Sequence, residues 1–352
     1  MKKIITITIL LCTLILTSCS SISNTGGTDE SKLNVAFIAA VNKSDNDISA
    51  QVKDELKVLQ KNKGITYSIV EAADKESYSA YIKKLAEEKK YDLILTCGYS
   101  TSKALDSVAK DYPTQLFATI DYISNASNVI SVAFKEEESA FYCGVIAAHM
   151  TKTNTVGIAA SFKNQDADYI YGFMTGVKAV NESINTVIEY TNSYTDLEAG
   201  TMAAQNLKDK GADIIYSAAT APTSSIILFA EKNNIKVINS DIYVYSQSSE
   251  ALLSATSKKY KSSVDYIINA AIDMKTNTSS SGNNGINTEL QYVGIAQEAF
   301  DFAMTKSVSN DIKDKLKAVD IMLIDSDFIV PVDQSMYDNF DFTIFAGKAF
   351  KK

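Results

Sequence analysis

The alternation of buried strands with helices is the feature that most constrains how this chain can fold. Short apolar runs, such as LNVAFIAAV at residues 33–41, alternate with segments that have the polar periodicity of amphipathic helices. Near-continuous apolar strands between helices are typical of parallel sheets that are covered on both faces. The predicted strands are residues 33–41, 65–70, 91–97, 115–121, 128–134, 155–160, 186–190, 213–217, 236–240 and 289–295.

The length of 352 residues exceeds what a single core usually supports, so two lobes are expected. Residues 117–150 are interpreted as the crossover between them, because two strands are followed by a helix that opens with Glu136, Glu137 and Glu138. These carboxylates complement the positive end of the helix dipole. We predict an α/β fold of two doubly wound parallel-sheet lobes joined by three crossovers. The N-terminal lobe is predicted to comprise residues 32–134 and about 246–284, and the C-terminal lobe residues 135–245 and about 285–352.

The N-terminus has the pattern of an export signal. Two lysines precede an apolar run at residues 4–16, which is too short to span a bilayer by itself. The run ends in Leu-Thr-Ser-Cys, which resembles a bacterial lipobox and implies cleavage before Cys19 and lipidation of its thiol. We predict a signal peptide at residues 1–18, then a lipidated cysteine and flexible tether at 19–31; an ordinary signal with a chance cysteine is the alternative. The protein is thus expected to be lipid-anchored on the extracytoplasmic face of the cell membrane.

Charge and residue usage disfavour several classes of function. The net charge of −8 disfavours nucleic acid as a partner, because phosphate binding needs a basic face. His149 is the only histidine and no cysteines have metal-ligand spacing, so we expect neither a metal site nor a histidine-based triad. The sequence has no GxxxxGK[ST] loop, and we expect no cofactor. Cys97 and Cys143 are expected to be buried thiols, with a bridge between them as the alternative.

Three aspartates share one position relative to the predicted strands. Asp45, Asp121 and Asp241 each lie at or just past a strand end. Ligands of parallel α/β sheets bind beyond the carboxyl ends of the strands, so we predict that the three acids meet in a cleft between the lobes. The alternative is that each aspartate only caps a helix or stabilises a turn.

Several segments together resemble the basic membrane protein family. They are VAFIAAV, YDLILTCGYS, YPTQLFATIDY, VAFKEEESAFYCGVIAAHMTKTNTVGIAAS, YGFMTGV, YTDLEAG, GADIIY and VINSD. The resemblance covers about residues 33–300 and implies a nucleoside-binding lipoprotein of an ABC importer with the type I periplasmic-binding fold. It also implies a nucleoside-like small-molecule ligand, and ABC permease and ATPase subunits as partners.

The resemblance implies a set of ligand-binding residues. Asp241 would accept hydrogen bonds from a pair of vicinal ribose hydroxyls, and Lys258 would limit the repulsion between the acids. Tyr99 is a further candidate for the ring that covers one face of a base, as is Phe173, although core packing is the alternative for Phe173. The predicted ligand-binding residues are Asp45, Ser49, Tyr99, Asp121, Phe173, Asp241 and Lys258.

Departures from the family pattern leave the ligand open. The phenylalanine and asparagine of the family's first loop are Ile48 and Ser49 here, and a glycine that allows close backbone approach is Thr220. We therefore predict a binding protein for a nucleoside, with purine nucleosides favoured. The alternatives are a regulatory or sensory relative that has lost transport, and a binder of another small polar solute. Paired carboxylates could also act on a glycoside, but the chain is expected not to be an enzyme.

Overall fold

The computed structural model describes residues 22–24, 32–40, 43–72, 74–240, 249–281, 288, 290–325 and 327–352. The predicted signal peptide, Cys19 and Asp241 lie outside the described residues. Asp45 lies in the first helix, and its side chain is also outside the described part.

The described residues form strands and helices that alternate along most of the chain. The strands are β1 (Ile22–Asn24), β2 (Asn34–Ala39), β3 (Thr66–Glu71), β4 (Leu93–Cys97), β5 (Leu116–Ile120), β6 (Val129–Phe134), β7 (Thr155–Ala160), β8 (Asn185–Tyr190), β9 (Ile214–Ala218), β10 (Lys236–Asn239), β11 (Leu252–Lys258), β12 (Leu290–Val293) and β13 (Phe300–Met304). The helices are α1 (Lys43–Lys63), α2 (Tyr78–Glu87), α3 (Tyr99–Ala109), α4 (Glu136–Met150), α5 (Ala167–Val180), α6 (Leu197–Asp209), α7 (Thr223–Asn233), α8 (Tyr260–Ser281), α9 (Asn310–Ile324) and α10 (Gln334–Asp338), with short 3₁₀ helices at Ile295–Gln297 and Phe342–Phe345.

Two sheets carry these elements, and their central strands have the same order. The first sheet has the order β1-β3-β2-β4-β5-β6-β12, and the second has the order β13-β11-β10-β9-β7-β8. All neighbouring strands are parallel except β1 and β13, which are antiparallel edge strands. Numbered within each lobe, five consecutive strands of each sheet follow the order 2-1-3-4-5, which is a doubly wound order. The predicted α/β fold with two doubly wound lobes is confirmed.

Both faces of each sheet are buried, as the apolar strands predict. In β2, Val35, Ala36, Phe37 and Ile38 are fully buried, because helices pack on both sides of the sheet. Helix α4 is apolar on nearly its whole circumference and packs tightly against α5 in the core of the second lobe. The carboxyl ends of the parallel strands in each sheet therefore form one edge, where polar loops are exposed.

The chain passes between the sheets three times, at positions that shift the predicted lobe boundaries. β11, predicted to lie in the first lobe, pairs with β10 in the second sheet, whereas β12, predicted for the second lobe, pairs with β6 in the first. The crossings lie at Lys135, at Lys258–Lys259 and at residues 294–299. They are hydrogen-bonded side by side: Lys135 N–H donates to Val293 O at 2.9 Å, and Lys259 N–H donates to Ala299 O at 2.8 Å.

Glu138 binds the first crossing to the third. Its Oε1 lies 2.9 Å from Lys135 Nζ, and its Oε2 accepts from the Ile295 N–H at 2.7 Å. Gly294 is packed against this carboxylate so closely that a Cβ there would overlap Glu138 Oε2. The hinge between the sheets is therefore a fixed set of contacts and not a loose linker.

The structure also places Cys97, Cys143 and His149. Cys97 in β4 and Cys143 in α4 are both buried thiols, as expected. His149 lies in the last turn of α4, and its Nε2 is 2.7 Å from Phe350 O. In the described part of the chain, none of the helices combines the length and apolar character needed to cross a bilayer.

Candidate functional site

A lysine held between two carboxylates lies where the lobes meet. Lys258 Nζ is 2.9 and 3.0 Å from the two carboxylate oxygens of Asp121 and 2.5 Å from Glu136 Oε1. Asp121 follows β5 of the first sheet, Glu136 opens α4 just after the first crossing, and Lys258 ends β11 of the second sheet. The side chains are 14–24% exposed, so the cluster is partly shielded from water.

The backbone at Asp121 aims its carboxylate into this cluster. Asp121 has φ +64°, in the left-handed region that aspartate tolerates better than most residues, and its N–H donates to Val132 O at 2.8 Å. The next turn is fixed by Thr119, whose hydroxyl donates to Tyr122 O at 2.8 Å. The strand end and its turn thus hold the acid in one orientation.

Aromatic side chains support the lysine from the first lobe. Lys258 Nζ lies 5.1 Å from the centre of the Phe134 ring, within cation–π range. Tyr260, the first residue of α8, packs edge-on against Phe134 at 5.3 Å, and its hydroxyl donates to Asp121 Oδ2 at 3.4 Å. Residues on each side of the second crossing therefore contact the same carboxylate.

Burial and charge shift the pKa values of this cluster. Burial raises the pKa of Glu136 to about 7, although Lys258 opposes the shift. Burial also raises the pKa of Asp168, in the first turn of α5, and that of Tyr169 beside it. Burial alone would lower the pKa of Lys258, but the charges of Asp121 and Glu136 raise it well above its usual value. Lys258 therefore stays charged, whereas Glu136 titrates near neutral pH.

Aromatic rings lie at the rims of the two facing edges. Tyr99 opens α3 and meets Tyr122 edge-on at 5.9 Å on the first lobe. Tyr194, which follows β8, meets Phe162 edge-on at 4.8 Å on the second lobe. Burial raises the pKa of Tyr194, and the charges of Asp166 and Tyr99 raise it further. Tyr99 is 64% exposed and Tyr194 is 45% exposed, so both rings are open to a solute.

The structure brings together only some of the predicted ligand-binding residues. Asp121 and Lys258 are in direct contact, and Tyr99 lies at the rim. Phe173 is fully buried and stacks on Tyr216 with ring centres 4.6 Å apart, in the core of the second lobe. Ser49 is buried too, and its hydroxyl accepts from the Ala40 N–H at 3.1 Å. Asp241 and the side chain of Asp45 lie outside the described residues.

The sequence patterns did not identify several side chains as part of the site. Glu136 was interpreted only as a partner of the helix dipole, although its place directly after the crossover was a usable signal. Asp168 and Tyr169 open a helix after a second-lobe strand, the position that had singled out the three aspartates. Tyr194 lies within a segment that carried the family resemblance, just past a predicted strand. In the described residues, no group of three or more His, Cys, Asp or Glu side chains could hold a metal ion.

Comparison with solved structures defines the class of fold. The crystal structure of a transcriptional activator of the comK gene from Bacillus halodurans matches this chain with a TM-score of 0.65 at 17% identity, covering 84% of this chain and 99% of that one. With the repeated strand order and the three crossings, this similarity places the protein in the type I periplasmic-binding class of two-lobed α/β folds.

Comparison with sequences then gives the family. The family model described as ABC transporter substrate-binding protein, PnrA-like (Bmp), matches residues 32–333, so the chain belongs to this family of substrate-binding proteins. The CD4+ T-cell-stimulating antigen of Listeria innocua is 28% identical over 279 residues, which cover 75% of this chain and 77% of that protein. The ABC transporter nucleoside-binding protein BmpA of Lactococcus lactis is 30% identical over 159 residues, 45% of each chain.

The buried glutamates at the start of α4 predict that stability falls as the solution becomes more basic. Burial raises the pKa of Glu136 to about 7 and that of Glu137 to about 8, both above the usual value of 4.5. Their contribution to stability is complete below pH 4.5 and is lost as the pH rises through 7 and 8. We expect the free energy of unfolding to fall by about 1 kcal/mol or more between pH 5.5 and pH 8.5, measured by urea denaturation.

Glu137→Gln should remove much of this decline, because the neutral amide has no proton to lose. Glu198→Gln, at an exposed position in the first turn of α6, is the control and should keep the wild-type decline. An unchanged slope in Glu137→Gln would show that Glu137 is ionised in the folded protein at all of these pH values.

Proposed function

We propose that this protein is a lipid-anchored, extracytoplasmic binding protein that captures a nucleoside, with purine nucleosides favoured, and delivers it to an ABC importer. The observation that carries the proposal is the Lys258–Asp121–Glu136 cluster at the meeting point of the lobes. Residues from both sheets and two crossings contribute to it, so a solute bound there contacts both lobes at once. Closure of the lobes around the solute is the expected mechanism.

The chemistry of the cleft supports a polar ligand with a flat ring. Carboxylates such as Asp121 accept hydrogen bonds from hydroxyl or amino groups, and Asp241 is proposed for the same role toward ribose. The exposed rings of Tyr99 and Tyr194 offer faces on which a base can stack. The name of the Lactococcus relative, a nucleoside-binding protein, agrees with this assignment.

The membrane location is proposed from the N-terminal sequence. The apolar run and Cys19 fit export and lipidation, and one lipid anchor with the permease as a second contact would keep the protein beside its transporter. Permease and ATPase subunits would supply the path and the energy, because the family model describes substrate-binding proteins of ABC transporters.

A regulatory role is the second candidate. The structural neighbour from Bacillus halodurans is named a transcriptional activator, and the first ligand loop of the present chain departs from the family pattern at Ile48 and Ser49. Genes for a permease and an ATPase beside the gene for this chain would favour the importer. Their absence, together with binding that supports no uptake in cells, would favour regulation.

A thermal-shift screen tests the proposed ligand class. Inosine, guanosine and adenosine are expected to raise the melting temperature, since a ligand at one hundred times its dissociation constant adds about 2.7 kcal/mol of stability. Asp121→Asn should weaken binding by about tenfold or more, because the carboxylate loses one hydrogen-bond acceptor and its charge pairing with Lys258. Asp111→Asn, an exposed change on the same lobe, should leave binding unchanged.

Two results would contradict the proposal. A shift with sugars but with none of the three nucleosides would reject the nucleoside assignment. Release of free base from inosine during the incubation would show turnover and support the enzyme alternative.

A further inference from the structure

Carboxylates of this chain already occupy the places at the cleft where an anion would normally bind. Helix N-termini and strand-end turns attract phosphate, because their N–H groups and the helix dipole are positive. After β7, Asp166 Oδ2 accepts from the N–H groups of Ser161 and Phe162 at 2.6 and 2.8 Å. In the next turn, Asp168 Oδ1 accepts from the Tyr169 N–H at 2.9 Å.

The same arrangement recurs at α6, and α4 has acidic residues in its first turn. Asp196 caps α6 by accepting from the N–H groups of Glu198 and Ala199 at 2.9 and 3.3 Å. Helix α4 begins with Glu136, whose carboxylate contacts Lys258. Three helix starts in the second lobe are thus matched by negative charge from the chain itself.

The ammonium group of Lys258 is also already paired with carboxylates of the chain. Lys258 is bound by Asp121 and Glu136, and Asp168 is close enough for Lys258 to influence its pKa. Two carboxylates therefore share one ammonium group. Lys103 lies farther out, with its Nζ 3.3 Å from the Tyr99 hydroxyl at the exposed rim. A phosphate at the cleft floor would meet excess negative charge that it could not neutralise.

We propose that Glu136 is a specificity-determining residue that makes the cleft reject phosphorylated solutes. By holding Lys258 against Asp121 and by occupying the start of α4, it leaves the site able to accept neutral solutes with hydroxyl and amino groups but not their phosphate esters. Discrimination of this kind works by repulsion of the wrong ligand. The neutral-ligand half of this inference rests on the proposed function, whereas the exclusion of anions does not.

The first test needs no organic ligand. Detergent-solubilised protein is heated in chloride and in inorganic phosphate at the same ionic strength and pH 8. Phosphate stabilises folded proteins generally relative to chloride, so the measured quantity is the difference between variants. We expect Glu136→Gln to gain more thermal stability from phosphate than wild-type protein does, by an excess that grows with phosphate concentration. Glu136→Asp, which keeps the charge, should behave as wild type. Stabilisation of wild-type protein by phosphate, lost in Lys258→Met, would overturn the proposal.

The second test compares each nucleoside with its 5′-monophosphate by titration calorimetry. Wild-type protein should bind the monophosphate about 100-fold more weakly or worse, since juxtaposed like charges cost several kcal/mol. Glu136→Gln should narrow this ratio by about tenfold, mainly through tighter monophosphate binding. Glu137→Gln is the matched control, because it changes the neighbouring carboxyl group, which is not among the carboxylates that bind Lys258, and should leave the ratio unchanged.

The outcomes separate the two proposals. Monophosphate binding within fivefold of the nucleoside in wild-type protein, or equal changes in Glu136→Gln and Glu137→Gln, would reject the role of Glu136. If no nucleoside binds while phosphate remains excluded, the nucleoside assignment fails and the exclusion of anions stands.

Discussion

Lys258→Met is expected to lower the free energy of unfolding by about 3 kcal/mol at pH 8 and to abolish solute binding. Without the ammonium group, Asp121 and Glu136 face each other in a partly buried cluster with no cation between them. Breaking a buried ion pair costs more than the pair contributes, because the remaining charge is desolvated without compensation. Since burial raises the pKa of Glu136 to about 7, protonation at pH 6 should relieve part of the repulsion. Urea denaturation at both pH values measures the difference.

Lys259→Met is the matched control for this experiment. Lys259 is the next residue, and its Nζ is 3.0 Å from Asp301 in a pair whose side chains are 37% and 61% exposed. Exposed pairs contribute little, so the change should alter stability by less than about 1 kcal/mol. Equal losses in the two variants, or a Lys258→Met protein as stable as wild type, would mean that the cluster is not a stabilising contact between the lobes.

Gly176→Ala is expected to destabilise the second lobe by about 3 kcal/mol or more. A Cβ at Gly176 would overlap the carbonyl oxygen of Phe141, and Cβ atoms at Gly144 and Gly172 would overlap the carbonyl oxygens of Phe173 and Glu137. The atoms opposite each glycine belong to backbone, which cannot rotate away as a side chain can. Helices α4 and α5 would have to separate, which opens the core between them.

Gly157→Ala is the comparison, because the added Cβ there would make a less severe overlap, and with a side chain instead of backbone. A Cβ there would lie 3.1 Å from the methyl groups of Leu207, a side chain that can shift by a few tenths of an ångström. We expect a loss of less than about 1.5 kcal/mol. Calorimetric melting of both variants tests the contrast, and a Gly176→Ala protein that melts as wild type would show that the two helices can move apart without cost.

The fold could be predicted from the sequence because its strands are apolar and regularly spaced. Strand β11 escaped prediction, since LLSATSK has small and polar residues where the other strands have branched apolar ones. With β11 unrecognised, the second crossing could not be placed, and residues 252–258 were assigned to the wrong sheet. Strand identity at a crossing depends on pairing partners far along the chain, which local composition does not record.

The candidate site could be predicted from the sequence only in part. Asp121 and Lys258 were singled out by strand position and by resemblance, but the contact between Glu136 and Lys258 joins residues on two separate crossings. Phe173 and Tyr194 show a second limit of prediction from the sequence, which is whether an aromatic side chain is buried or exposed. Both are aromatic residues in the second lobe, and only the packing of α5 against β9 shows that Phe173 is interior while Tyr194 is open.

Lys258 has a mechanical consequence because it is both the last residue of β11 and part of the second crossing. A solute that displaces its ammonium group would act directly at the hinge, where the chain passes between the two lobes. A rotation of the lobes about that point would move Tyr99 and Tyr194 relative to each other, because one residue lies on each lobe. Under the proposed function, occupancy of the cleft would then change the distance between the exposed rings of the two lobes.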